Sequence, residues 1–106
     1  MSESIGELME GQKDDSNKPR MELLPMDALM EVAKVLTYGA KKYAPGNWKK
    51  VPEARERYTG ALLRHLAAWM EGEEADPEAK DEILLHIAQA ATNALFLVHF
   101  ELQEKE

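Results

Sequence analysis

The stretch ILLHIAQAATNALFLVHF, residues 83–100, is apolar on almost every side of a helix, and its reading decides the fold. Leu84, Ile87, Ala88, Ala91, Leu95 and Val98 recur at steps of three and four, which lays them along one helical face. Ala90, Ala94, Leu97 and Phe100 fill much of the remainder. A surface helix in a small domain keeps a broad polar face, and this one does not. Two apolar faces need two partners. The pattern predicts a helix from about residue 77 or 78 to about 103, covered on one side by its own chain and on the other by a second copy. An extra helix formed by the N-terminal segment is the other way to cover it.

Moving outward, residues 52–72 predict a helix whose apolar stripe is Tyr58, Ala61, Leu62, Leu66 and Trp69, with His65 set inside it. Gly72 and the acidic residues 73–76 before Pro77 break that helix. Residues 25–43 predict another, with Pro25 at its first position, where the missing N–H costs nothing. Leu29, Val32, Ala33, Leu36, Ala40 and Tyr43 give its periodicity, Gly39 is a point of loosening, and Pro45-Gly46-Asn47 is a turn. Residues 1–17 lack periodicity and read as a flexible arm, leaving residues 18–106 as one domain. The expected fold is all-α, a small bundle of about three helices completed by homo-oligomerisation.

Composition narrows the function. A formal charge of −7 argues against binding a nucleic-acid polymer, whose phosphates need a basic surface. It leaves room for a small anionic ligand held by locally concentrated lysines and arginines. The absence of cysteine removes disulfides, thiolate ligands and cysteine nucleophiles, and is compatible with a reducing compartment. The opening residues carry no apolar leader and no apolar run is long enough to span a bilayer, so a cytoplasmic protein without a membrane partner is expected. Walker-type, GxGxxG and HExxH motifs are absent, and serine occurs only at Ser2, Ser4 and Ser16.

Against this background a few polar residues stand out. His86, Gln89 and Asn93 share one narrow stripe of an otherwise apolar helix, where each needs a hydrogen-bond partner. Such a stripe either lines a ligand pocket or forms an inter-helix network that fixes packing. Arg64 offers a planar fork to phosphate, while neighbouring His65 points towards the core; Arg64 could equally pair with a surface acid such as Glu71. Glu71, Glu73 and Asp76 are oxygen donors suited to a hard divalent cation. Asp27 and Glu31 form a second acidic pair, in a place where a helix N-terminus already favours negative charge. Lys41, Lys42, Tyr43 and Trp48 combine charge with aromatic faces, as a nucleotide requires, or form a plug under a turn.

Five blocks in order, KDDSNKPR (13–20), LLP (23–25), GAKKYAPGNW (39–48), ALLRHLAAWMEGEEADPE (61–78) and HIAQAATNALFL (86–97), resemble the N-terminal domain of phage dATP/dGTP diphosphohydrolases. The resemblance implies an all-α, MazG-like enzyme of the host cytoplasm. Such an enzyme cuts a (d)NTP between its α- and β-phosphates with Mg2+ or Mn2+, releasing monophosphate and pyrophosphate. It also implies roles. Lys18, Arg20, Lys41, Lys42 and Arg64 would contact phosphate, Trp48 would cover a base, and Asn93 would line the pocket. Glu73, Asp76, His65 and His86 would be catalytic, with Glu31, Glu73 and Asp76 facing the metal. Asp27 and Glu31 are a partial version of the MazG EExxE cluster, and the segment from Asp76 to His86 is about three residues longer than the family pattern. A non-catalytic oligomer that sequesters a nucleotide or host defence signal fits the same residues, as does a purely structural oligomer.

Overall fold

The computed structural model describes residues 11–105. Most of the expected arm, residues 1–10, lies outside them, and residues 11–20 run exposed to a turn closed by Lys18 N–H on the Asp15 carbonyl. A single 3-10 turn, Met21–Leu23, precedes three helices: α1 (Met26–Lys42), α2 (Ala54–Met70) and α3 (His86–Glu104). The described residues contain no strand, and the fold is all-α.

Helix α1 starts after Pro25 and carries Asp27 in its first turn and Lys41 and Lys42 in its last, charges that oppose the helix dipole at each end. Gly39 does not interrupt it; its carbonyl accepts the closing bond from Tyr43 N–H. The turn that follows depends on Gly46 at φ 77°, a left-handed conformation that glycine adopts without steric cost. A short 3-10 segment, Asn47–Lys50, then sets the Trp48 indole flat on the Phe96 ring of α3, with centroids 4.3 Å apart and 12° between planes. The Tyr58 hydroxyl donates to the Trp48 carbonyl at 2.8 Å and fixes the segment from α2.

Packing is tightest between α2 and α3, with α1 laid less extensively on α3. Ala88, Ala90 and Thr92 are buried on α3, and side chains this small let neighbouring backbones approach closely. Thr92, 1% exposed, meets its hydrogen-bond requirement inside the helix by donating to the Ala88 carbonyl at 2.8 Å. The opposite face is bare: Ile87, Leu95, Val98 and Leu102 form a continuous apolar ridge, each between 39% and 56% exposed.

Helix α3 begins at His86 rather than near residue 77, and this corrects the sequence-based expectation. Two backbone hydrogen bonds compete with helix formation. Asp76 N–H donates to the Leu84 carbonyl and His86 N–H to the Glu74 carbonyl, both at 2.8 Å, as an isolated antiparallel bridge between Ala75 and Leu85. The Asp76-Pro77-Glu78 sequence has the look of a helix start, but here the Asp76 carboxylate accepts the Glu78 N–H at 2.9 Å in a local turn. The bridge gathers residues 77–83 into an excursion and brings Asp76 and His86 side by side.

Candidate functional site

The end of α2 is built to place an acid. Gly72, at φ 98°, terminates the helix with the paired bonds of a Schellman motif, Gly72 N–H to the Trp69 carbonyl and Glu73 N–H to the Ala68 carbonyl, both 3.0 Å. Glu73 is thereby turned back towards α3, where its Oε1 lies 2.7 Å from His86 Nε2. His86 is 5% exposed, and its other ring nitrogen, Nδ1, lies 2.9 Å from His65 Nδ1 on α2. Asp76 completes the group: one ligand atom from each of His65, Asp76 and His86 lies within 4.8 Å of the others.

Each partner is held from behind. Gln89 Nε2 donates to Asp76 Oδ2 at 2.8 Å, while Oδ1 is occupied by the Glu78 amide. Burial draws the Asp76 carboxyl upward, yet the Gln89 and Glu78 hydrogen bonds and the two nearby histidines outweigh it and leave the group below the usual carboxylate range. Burial lowers the His65 imidazole; His86 and Arg64 act in the same direction, and Asp76 and Glu78 act against them. The centre therefore combines an anionic carboxylate with a His65 imidazole held towards its neutral form.

The polar stripe on α3 leads from this centre to a cleft. Asn93, 8% exposed, donates from Nδ2 to the Gln89 carbonyl at 2.8 Å and lines an open cavity of about 970 Å³ between the C-terminal half of α1, the turn after it and α2. Tyr43, Trp48, Arg57, Tyr58 and Arg64 share the walls. Neither Arg57 nor Arg64 takes part in an ion pair among the described residues, in contrast to Arg55, which is bound to Glu104 and Glu101. Gly60 makes room for one of them: a Cβ at this position would lie 3.2 Å from Nη1 of Arg64.

The sequence-derived residues therefore separate into groups. His65, Glu73, Asp76 and His86 come together, and Arg64, Asn93 and Trp48 meet at the cleft. Trp48 lines it with one ring face already taken by Phe96, and Lys49 Nζ lies 5.5 Å from the ring centroid. Lys41 reaches Glu82 at 3.4 Å and Lys42 lies over the Tyr43 ring at 5.4 Å. Glu31 is paired with Lys34 at 2.8 Å and stands outside the His65–Asp76–His86 group. Arg20 is bonded to Glu22 at 2.8 Å on the exposed segment that also carries Lys18. Arg57 and Gly60 escaped the sequence reading; the one available signal was a glycine four residues before an arginine on the same helix.

No helix among the described residues is long and apolar enough to cross a membrane. No solved structure matches the chain. A dATP/dGTP diphosphohydrolase of Salmonella phage PMBT28 is 33% identical over 89 residues, an alignment that covers 84% of this chain and 29% of that protein. The chain thus spans less than a third of the relative's length. A family profile described as dATP/dGTP diphosphohydrolase, N-terminal, matches residues 9–106, which contain every residue of both the centre and the cleft. The chain belongs to the dATP/dGTP diphosphohydrolase N-terminal family.

Proposed function

We propose that this chain is the nucleotide-handling unit of a (d)NTP pyrophosphohydrolase of the phage-infected cytoplasm, acting on dATP or dGTP to release monophosphate and pyrophosphate. The observation that carries this reading is one polar stripe on α3: Asn93 in the cleft donates to the main-chain carbonyl of Gln89, and the Gln89 side chain donates to Asp76 beside His65 and His86. Arg57 and Arg64 supply phosphate-binding forks in the cleft, and Tyr43 and Trp48 supply apolar surface for a base. His65, Asp76 and His86 offer the donor atoms for a divalent ion, with Mg2+ or Mn2+ as the ions the family implies. Such an ion, when bound, neutralises phosphate oxygens and polarises the attacking water. Glu73 orients His86 through Nε2, and Gln89 orients Asp76.

Homo-oligomerisation is part of the same proposal. The ridge of Ile87, Leu95, Val98 and Leu102 is contiguous and apolar, and a second copy of α3 offers a self-complementary partner for it.

One feature favours a second reading. His65, Asp76 and His86 are absent from the walls of the cleft. A ligand seated wholly in the cleft would sit a helical turn from the centre, which suits a protein that sequesters a nucleotide intact. A panel of dNTPs and NTPs incubated with the purified protein and Mg2+ or Mn2+ separates the two readings. Monophosphate and pyrophosphate produced with turnover, and lost in Asp76→Ala, support the enzyme. Intact nucleotide recovered in stoichiometric amount, with no product, overturns it in favour of sequestration.

A further inference from the structure

The arrangement around His86 points to a particular class of ion. A carboxylate only accepts hydrogen bonds at neutral pH, so Glu73 Oε1, 2.7 Å from His86 Nε2, requires the proton on that nitrogen. In the neutral ring the lone pair of Nδ1 is then directed at His65 Nδ1, 2.9 Å away. Without an ion, one shared hydrogen satisfies both rings. With an ion, the same pair of nitrogens is already spaced as two ligands. Metal–nitrogen bonds of about 2.1 Å place neighbouring octahedral nitrogens about 3.0 Å apart and tetrahedral ones about 3.4 Å apart. The observed 2.9 Å is the spacing of the N–H···N hydrogen bond itself, from which the two nitrogens need little movement to become neighbouring ligands, and the donor types decide which ion they suit.

We infer that His65, Asp76 and His86 form a two-histidine, one-carboxylate site for an octahedral first-row transition-metal ion such as Mn2+, Fe2+ or Co2+, in preference to Mg2+. Imidazole nitrogen is a good donor to these ions, whereas Mg2+ keeps to oxygen and gives up its waters reluctantly. Three protein donors on one side leave the remaining positions open to water or to phosphate oxygens. Glu73 on the far nitrogen of His86 is the partner a metal-bound imidazole ordinarily has, and Gln89 restrains Asp76 in the same way. The inference does not depend on nucleotide hydrolysis, since a sequestering protein would carry the same site.

Co2+ is the probe of choice because its visible spectrum reports coordination. Titration of the full chain with Co2+ alone, without nucleotide, is expected to give one ion per chain. The expected spectrum is the weak absorption of a five- or six-coordinate ion rather than the intense bands of a tetrahedral one. A hundredfold excess of Mg2+ should leave the spectrum unchanged. His65→Ala and His86→Ala should abolish binding. Because a buried histidine variant can fail to fold, exposed Glu73→Ala is the second probe, with an expected loss of about 10- to 100-fold in affinity and unchanged helicity. Glu71→Ala, outside the group, should bind as the parent does. Displacement by Mg2+ at up to that hundredfold excess, absence of Co2+ binding, or unchanged affinity in folded Glu73→Ala and His variants overturns the assignment.

Discussion

Gln89 on α3 and Asp76 in the connection after α2 are joined by a 2.8 Å hydrogen bond from Nε2 to Oδ2, and through it the last helix holds the carboxylate of the centre in place. Removing the donor in Gln89→Leu should raise the Asp76 carboxyl towards its ordinary range, since that bond is the largest influence lowering it. The stability loss should be about 1.5–2 kcal/mol, the lower part of the range for a bond to a charged acceptor, because Asp76 is only partly buried. NMR titration of the side-chain carboxyl, together with urea unfolding, checks both statements. An unmoved Asp76 titration contradicts them.

The cleft arginines should set nucleotide affinity. Arg64→Ala and Arg57→Ala are each expected to weaken binding by about 10- to 100-fold, the equivalent of one lost charge-assisted interaction of roughly 1.5–3 kcal/mol. Gly60→Ala should produce a smaller loss, because the added methyl meets Nη1 of Arg64 at 3.2 Å and displaces the guanidinium. Calorimetric titration with a non-hydrolysable dNTP measures all three. Equal affinity across the series would place the ligand elsewhere.

Tyr58 gives the fold an alkaline limit. Burial raises its phenol above the ordinary value, and nearby Arg57 only partly offsets this. A group whose folded value is raised contributes stability that is complete below its unfolded value, near pH 10, and is lost as pH climbs through the folded value. The Trp48–Phe96 stack should therefore loosen above about pH 10, seen as a change in tryptophan fluorescence near Trp48. Tyr58→Phe should lose this alkaline step and also the bond to the Trp48 carbonyl. A step of the same size in that variant rules Tyr58 out as its origin.

The α3 ridge should assemble the protein. Leu95→Asp with Val98→Asp puts two charges into the proposed contact and should yield a monomer by sedimentation velocity, with helicity retained. The parent chain should sediment as an oligomer. A monomeric parent at tens of micromolar would leave the ridge to some other partner.

The three helices could be read from apolar periodicity alone, as could the polar stripe His86, Gln89 and Asn93. What periodicity could not supply was the start of α3. Ala79, Ile83 and Leu84 continue a helical rhythm on paper, and Asp76-Pro77 supplies a plausible cap. The competing pairing of residues 74 and 76 with 84 and 86 is a backbone event that side-chain spacing does not encode. The acids and histidines of the centre were individually visible, but their convergence depends on the Gly72 turn and on that pairing. Gln89 stands out as a polar group on an apolar helix, but nothing in the sequence says which acid it meets.

The bridge between Ala75 and Leu85 also bears on how such a chain can change over time. Both of its hydrogen bonds are made by main-chain atoms outside residues 77–83, so the bridge closes the excursion at its base whatever side chains its outer part carries. Exposed Lys80 and Asp81 sit at the crest of that excursion. A residue added at that crest leaves every donor and acceptor of the bridge in place, like slack above a knot in a cord, and the chemistry beneath the knot stays in register.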